Sequence, residues 1–242
     1  MLDFAPWDSM LQAYVNDQGQ VNYFRWQQEA KNTLATWLDS LRPVAVTQLL
    51  PEAHLALLLN LYNALVIQQV LARYPINSIR PGILGLPNWI GFLRFFSRPV
   101  YSLNGEALSL NQLEHQTLRP IFQEPRIHFA LVCAAVGCPI LRNEAYLPDI
   151  VEAQLETDAQ RFINNPDKVR YDEESNTLYC SKIFKWYEKD FLQEVPSIPA
   201  YVAQYLPKVS KTATVRHLPY DWSLNQRVSP QNTSDRRYRI SS

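Results

Sequence analysis

Cysteine is scarce in this 242-residue chain, three in all, and so odd and sparse a count excludes the disulfide framework of a small secreted domain. An excess of either charge sign is missing as well. Lys plus Arg and Asp plus Glu stand at 23 each, so no net field draws nucleic acid to the molecule as a whole, and no nucleic-acid partner is expected. No uninterrupted apolar run reaches the roughly 20 residues that a membrane-spanning helix needs. The opening Met-Leu-Asp-Phe-Ala-Pro-Trp-Asp has neither the basic nor the apolar region of a secretory leader. A cytoplasmic location, peripheral to a membrane at most, is the expectation. Internal repeats are absent too, and 47% hydrophobic content suffices for one sizeable core. Residues 1–228 therefore read as a single globular domain, and the polar stretch 229–242 as a disordered tail.

What is present is mostly helical patterning. Helices are predicted over Trp7 to Tyr14 and Glu29 to Leu41, and a long one over Pro51 to Tyr74, apolar nearly all round and hence central. Ser109-Leu-Asn-Gln112 is a capping box for a helix ending before Pro120. Pro148 to Asn164 reads as another amphipathic helix. Val169 to Tyr171 and Thr177 to Cys180 make a hairpin by their turn residues. Ser181 can cap the next helix, a further one spans Ala200 to Leu206, and Val215 to Tyr220 is a last strand. The fold class is α+β: a mostly helical domain around a small β-sheet that contains a strand over 126–133.

The 126–133 strand opens the segment where chemistry is to be sought. Arg126 to Leu141 holds a histidine and two of the three cysteines within sixteen residues. Its first half alternates, with Ile127, Phe129, Leu131 and Cys133 on one face and His128, Ala130 and Val132 on the other. A small-residue turn follows, and Pro139 blocks further pairing just after Cys138. Alternation puts His128 and Cys133 on opposite faces, which makes Cys138, beyond the turn, the preferred thiol nucleophile and Cys133 the second choice. His115 or His128 would serve as base and Glu114 or Asn63 would orient it. Glu114 and His115 adjoin on one helix, about 100° apart, and so should not face one spot. Ion pairing of Glu114 with Arg119 or Arg126 is the plainer alternative. Asn60 and Asn63, flanking Tyr62 in the central helix, need hydrogen-bond partners there, from a pocket or from a buried loop. Four residues between the cysteines match neither a zinc ribbon nor a redox pair well; with His115 or His128 a metal site is a third reading. No motif calls for a cofactor.

The run Gly82 to Phe96 is apolar and aromatic, and its nearest charges, Arg80, Arg94 and Arg98, are all positive. Folded back it is a buried loop. Exposed, it is a protein or membrane-surface contact through Ile83, Leu86, Trp89, Ile90, Phe92 and Phe95.

Several segments resemble the bacterial branch of the family known as domain of unknown function 547. They include Leu58-Leu-Asn-Leu-Tyr-Asn-Ala-Leu65, Tyr74-Pro-Ile-Asn-Ser-Ile-Arg80, Leu108-Ser-Leu-Asn-Gln-Leu-Glu-His115 with Leu118-Arg119, and Pro125 to Cys133. Gly137-Cys-Pro139, Ser181-Lys-Ile-Phe-Lys-Trp-Tyr187, Asp190-Phe191 and Tyr220-Asp-Trp-Ser-Leu-Asn225 complete the set. The resemblance brings no activity with it. It does join Arg119, Arg126, Ser181, Trp186 and Tyr187 to Asn60 and Tyr62 as an expected pocket or structural polar network. The leading functional reading is a thiol-dependent hydrolase or acyl-transfer enzyme. A non-catalytic interaction or membrane-peripheral module built on the 82–96 segment competes with it.

Overall fold

The computed structural model describes residues 2–80, 82–83 and 86–227. Near the N-terminus, α1 (Ala5–Tyr14) takes Pro6 in its first turn, where a missing N–H costs nothing. Asn22 caps α2 (Tyr23–Glu29) by accepting the Arg25 N–H, and α3 (Lys31–Leu41) follows. Next comes α4 (Pro51–Leu71), whose apolar residues leave no face for water. By length and composition α4 would also cross a membrane; 89% of that stretch is buried inside the protein. Trp7 anchors α1 in this core, stacked on Trp37 at 5.4 Å and tilted against Trp26 at 5.8 Å.

The 82–96 segment is not a loop. It forms a short antiparallel pair, β1 (Gly82–Ile83) and β2 (Leu86–Pro87), and then α5 (Trp89–Ser97), which Asn88 caps through the Gly91 N–H. β3 (Tyr101–Leu103) and β4 (Glu106–Leu108) form a hairpin turned by Asn104 and Gly105, both at positive φ, the pairing that matches strand twist. The capping box then forms as expected: Ser109 accepts the Gln112 N–H, and Gln112 returns to the Ser109 N–H.

The helix it opens does not stop before Pro120. α6 (Leu110–Gln112) continues through a π-helical segment, Leu113–Leu118, into α7 (Arg119–Phe122). Pro120 has no N–H to give the preceding turn, and widening that turn, with the Arg119 N–H reaching back to the Glu114 carbonyl, keeps the helix running.

The predicted 126–133 strand is absent. Pro125–Phe129 is a 3₁₀ turn started by the Glu124 carboxylate, which accepts the Arg126 N–H at 2.9 Å, and the chain continues as a loop. Apparent alternation misled because both faces are buried: His128, Ala130 and Val132 are as enclosed as Ile127 and Phe129. The mostly helical α+β character stands. The three-stranded sheet is instead β5 (Val169–Asp172), β6 (Thr177–Cys180) and β7 (Thr214–His217), with β6 antiparallel to β5 and parallel to β7. Before it lies α8 (Val151–Ile163). Between β6 and β7 the predicted Ser181 helix is two short ones, α9 (Ile183–Trp186) and α10 (Glu188–Phe191), followed by α11 (Ile198–Val202).

Two apolar clusters result, one around α4 and one around Phe129, Phe162, Phe184, Phe191 and Tyr201. The segment Tyr220 to Arg227 ties distant parts together. Ser223 bridges Ser78, Leu224 bridges Ala135, Gln226 bridges Val21, and the Asn225 side chain accepts from the Tyr23 hydroxyl at 2.8 Å. The expected tail, 229–242, lies outside the described residues.

Candidate functional site

Where the two clusters meet, a cavity of about 500 Å³ opens to solvent. Its lining includes Cys133, Cys138, His128, His115, Glu114, Tyr62, Trp186 and Tyr187, so most of the residues singled out from the sequence converge. The two expected separations fail. His128 and Cys133 line the same cavity because their segment is not a strand. Glu114 and His115 both line it because the wide π turn brings adjacent side chains closer in angle than an α-helix does.

The floor is made by the cysteines. Cys133 and Cys138 are joined in a disulfide, with Cα atoms 6.3 Å apart, within the ordinary range for such a bond. A turn of unusual backbone makes this reach. Ala134 sits at φ 62°, a left-handed conformation that costs a non-glycine residue about 1 kcal/mol or more and persists only where neighbours enforce it. The neighbours are the C-terminal segment: the Asn225 N–H bonds the Ala134 carbonyl, while Val136 and Gly137 donate to the Ser223 and Asp221 carbonyls at 2.8 Å each. Gly137 has to be glycine here, since a Cβ would lie 2.9 Å from the Asp221 oxygen and from the Tyr220 ring.

The sulfurs differ in environment. Cys133 is partly exposed, whereas Cys138 is 3% exposed. Cys138 Sγ accepts the Cys133 N–H at 3.1 Å and the Tyr220 hydroxyl at 3.1 Å, and that hydroxyl also lies 3.4 Å from Cys133 Sγ. Burial, and then the Glu114 carboxylate, push the Tyr220 hydroxyl well above its usual range, so it remains a donor. Among the described residues neither sulfur has a hydrogen bond to an imidazole. The third cysteine, Cys180, is a buried hydrophobe whose thiol is pushed up to about 12 by burial.

Behind the two histidines that line the cavity lies an ionic network. Asp190 accepts two bonds from Arg119, at 2.6 and 2.8 Å, and lies 2.7 Å from His128 Nε2. Burial alone would raise the Asp190 carboxyl, but His128 and Arg119 outweigh it and hold it well below the usual carboxylate range. Burial holds the His128 imidazole below its ordinary value against the pull of Asp190. Its ring stacks on Tyr187 at 3.8 Å. Arg119 also donates to His115 Nδ1 at 3.0 Å; a guanidinium has no acceptor, so Nδ1 is the acceptor in that bond. Glu114 is buried and accepts from Tyr62 at 3.2 Å. The opposite wall is aromatic, from Trp89, Phe92 and Phe96 to Trp186, Tyr220 and Trp222. Over it lies Arg80, 5.1 Å from both the Trp89 and Trp222 rings.

Other expected site residues lie elsewhere. Asn63 is no orienting group for a base: it donates to the Ala130 carbonyl and accepts the Val132 N–H, each at 3.0 Å, and so holds the chain leading to Cys133. Asn60 does the same for Tyr146, and accepts from Trp7. Arg126 pairs with Glu124, Glu152 and Glu156 outside the cavity. Ser181 is buried and accepts the Ile183 N–H. Among the described residues no three His, Cys, Asp or Glu side chains group as a metal site. Tyr220, Trp222, Arg80 and Lys182 complete the cavity, Asp190 stands behind it on His128, and all five were missed as site residues. No spacing links them to Cys138, and only their membership of the resembling segments marked most of them.

Residues 46–163 match the model of the family described as a protein of unknown function, DUF547. The chain carries a DUF547 domain. The match runs from just before α4 to the end of α8, so the DUF547 segment supplies both cysteines, both cavity histidines and Glu114. Tyr220, Asp190, Trp186 and Trp222 come from the 181–222 stretch beyond it. Neither the curated proteins nor the solved structures yield a match to this chain.

Proposed function

We propose that the cavity carries thiol chemistry in the form of thiol–disulfide exchange at Cys133–Cys138. The observation that supports it is the asymmetry of the pair. Cys133 Sγ is the sulfur open to attack, and Cys138 Sγ already receives the two hydrogen bonds that a departing thiolate needs. A substrate thiolate attacks Cys133 Sγ, the S–S bond breaks, and its electron pair leaves on Cys138. A second thiolate of the same substrate then displaces Cys133, leaving a substrate disulfide and a reduced protein dithiol. The aromatic wall gives such a substrate an apolar seat. Trapping tests which sulfur exchanges: with glutathione disulfide, the lone thiolate of Cys138→Ser should attack the S–S bond and accumulate a mixed disulfide at Cys133 as one glutathione thiolate leaves, and Cys133→Ser should form none. Labelling confined to Cys138 would sink the scheme.

Acyl transfer is the second reading, favoured by a cavity-lining histidine, His128, held from behind by Asp190. It needs the pair reduced and an imidazole brought to a sulfur. A thioester-forming probe that labels reduced wild type at Cys138, and fails on His128→Gln, would support it over exchange.

A further inference from the structure

α5 is held by one face and bare on the other. Phe95 is 3% exposed, correcting its place among the expected contact residues, and Phe92 wedges against Phe96 at 5.2 Å and Trp222 at 5.0 Å. Outward, Trp89 is 55%, Ile90 73% and Leu93 60% exposed, successive positions on one helical arc. The side chains of Ile83 and Leu86 lie outside the described residues. Single exposed apolar residues need no explanation, but three on a firmly anchored helix do.

Charge identifies the occupant. From Arg80 to Gly105 the chain has three arginines and no Asp or Glu, within a molecule of zero formal net charge. Arg94 and Arg98 are exposed beside the apolar arc. Two copies meeting through this face would set those arginines against one another, which disfavours a symmetric dimer. An apolar arc with Trp at its edge and only basic neighbours is the arrangement of a helix lying in a lipid headgroup layer. We infer that α5 docks this protein on an anionic bilayer surface through Trp89, Ile90 and Leu93, with Arg94 and Arg98 facing the headgroups. Trp89 and Leu93 also line the cavity, so docking turns its mouth toward the lipid. This inference does not depend on the redox reading.

Co-sedimentation of the full chain with vesicles tests it, using phosphatidylcholine alone and phosphatidylcholine mixed equally with phosphatidylserine. Binding to the mixed vesicles should fall as salt rises. Ile90→Asp, at a residue outside the cavity, should weaken it about tenfold, and Arg94→Glu with Arg98→Glu by about tenfold or more. The Cys133–Cys138 reduction potential of both variants should stay at the wild-type value, which reports intact folding. Absence of binding to either vesicle overturns the inference, as does equal binding to both that ignores the substitutions. Concentration-dependent dimerisation abolished by Ile90→Asp, without vesicle binding, overturns it in favour of a second copy.

Discussion

Replacing Tyr220 by Phe removes one oxygen and leaves the ring packed on Trp186 and Trp222, whose centroids lie 4.8 and 4.6 Å away. That oxygen is one of two donors to Cys138 Sγ, at 3.1 Å. A hydrogen bond to a charged acceptor is worth about 1.5–3 kcal/mol, and one to a neutral acceptor about 1 kcal/mol. The difference, about 1.5 kcal/mol, is the extra support the hydroxyl gives the thiolate over the disulfide. It converts to about one pKa unit and, for a two-electron couple, to about 30 mV. Tyr220→Phe should therefore raise the Cys138 thiol pKa by about one unit and make the pair more reducing by about 30 mV, because the reduced form has lost support. Alkylation of the reduced protein by iodoacetamide across pH, with Cys133→Ser isolating Cys138, reads the first quantity. Equilibration against glutathione buffers reads the second. If neither moves, Tyr220 is packing alone and the leaving-group argument fails.

Other consequences follow from the same contacts. Gly137→Ala drives a methyl to 2.9 Å from the Asp221 oxygen and the Tyr220 ring. It should shift the potential in the same direction as Tyr220→Phe and destabilise the protein by about 1–3 kcal/mol in urea unfolding, as overpacking does; a wild-type potential would mean that Tyr220 does not depend on the turn. Asn63→Ala leaves the buried Ala130 carbonyl and Val132 N–H unpaired. A loss of about 2–4 kcal/mol is expected in the same assay, and a loss under 1 kcal/mol would refute the clamp. Acid should act in two stages. His128 is held below its ordinary pKa by burial, as are His54 and His217, so the unfolded chain takes up more protons and stability falls as pH drops below about 6.5. Asp190, depressed by His128 and Arg119 against burial, contributes in full above about pH 4, and that contribution is lost as pH falls further. Urea midpoints across pH should show both stages, with Asp190→Asn flattening the lower one; a profile level from pH 7 to 4 contradicts the burial argument.

Legibility divides along a physical line. Local signals held: Pro51, the Ser109 to Gln112 capping box and the 169–180 hairpin act within a few residues, and each formed where expected. The 126–133 strand failed because its backbone is satisfied from far away, by Asn63 on α4 and by its own 3₁₀ bonds, while burial on both faces mimicked alternation. The π turn escaped notice because a proline was read as a stop, when widening the helix was the cheaper answer.

By itself, then, the chain's order of residues determined a mostly helical α+β protein with a central α4, and it pointed to His128, Cys133 and Cys138 as the place for chemistry. Only the tertiary structure decided that the two cysteines pair, that Cys138 is the supported sulfur, and that Asp190 rather than Asn63 holds the histidine. The reason is separation: Tyr220 lies 82 residues from Cys138, and Asp190 lies 62 from His128. No local propensity encodes such contacts. They exist because packing two apolar clusters against each other brings the C-terminal segment onto the cysteine turn.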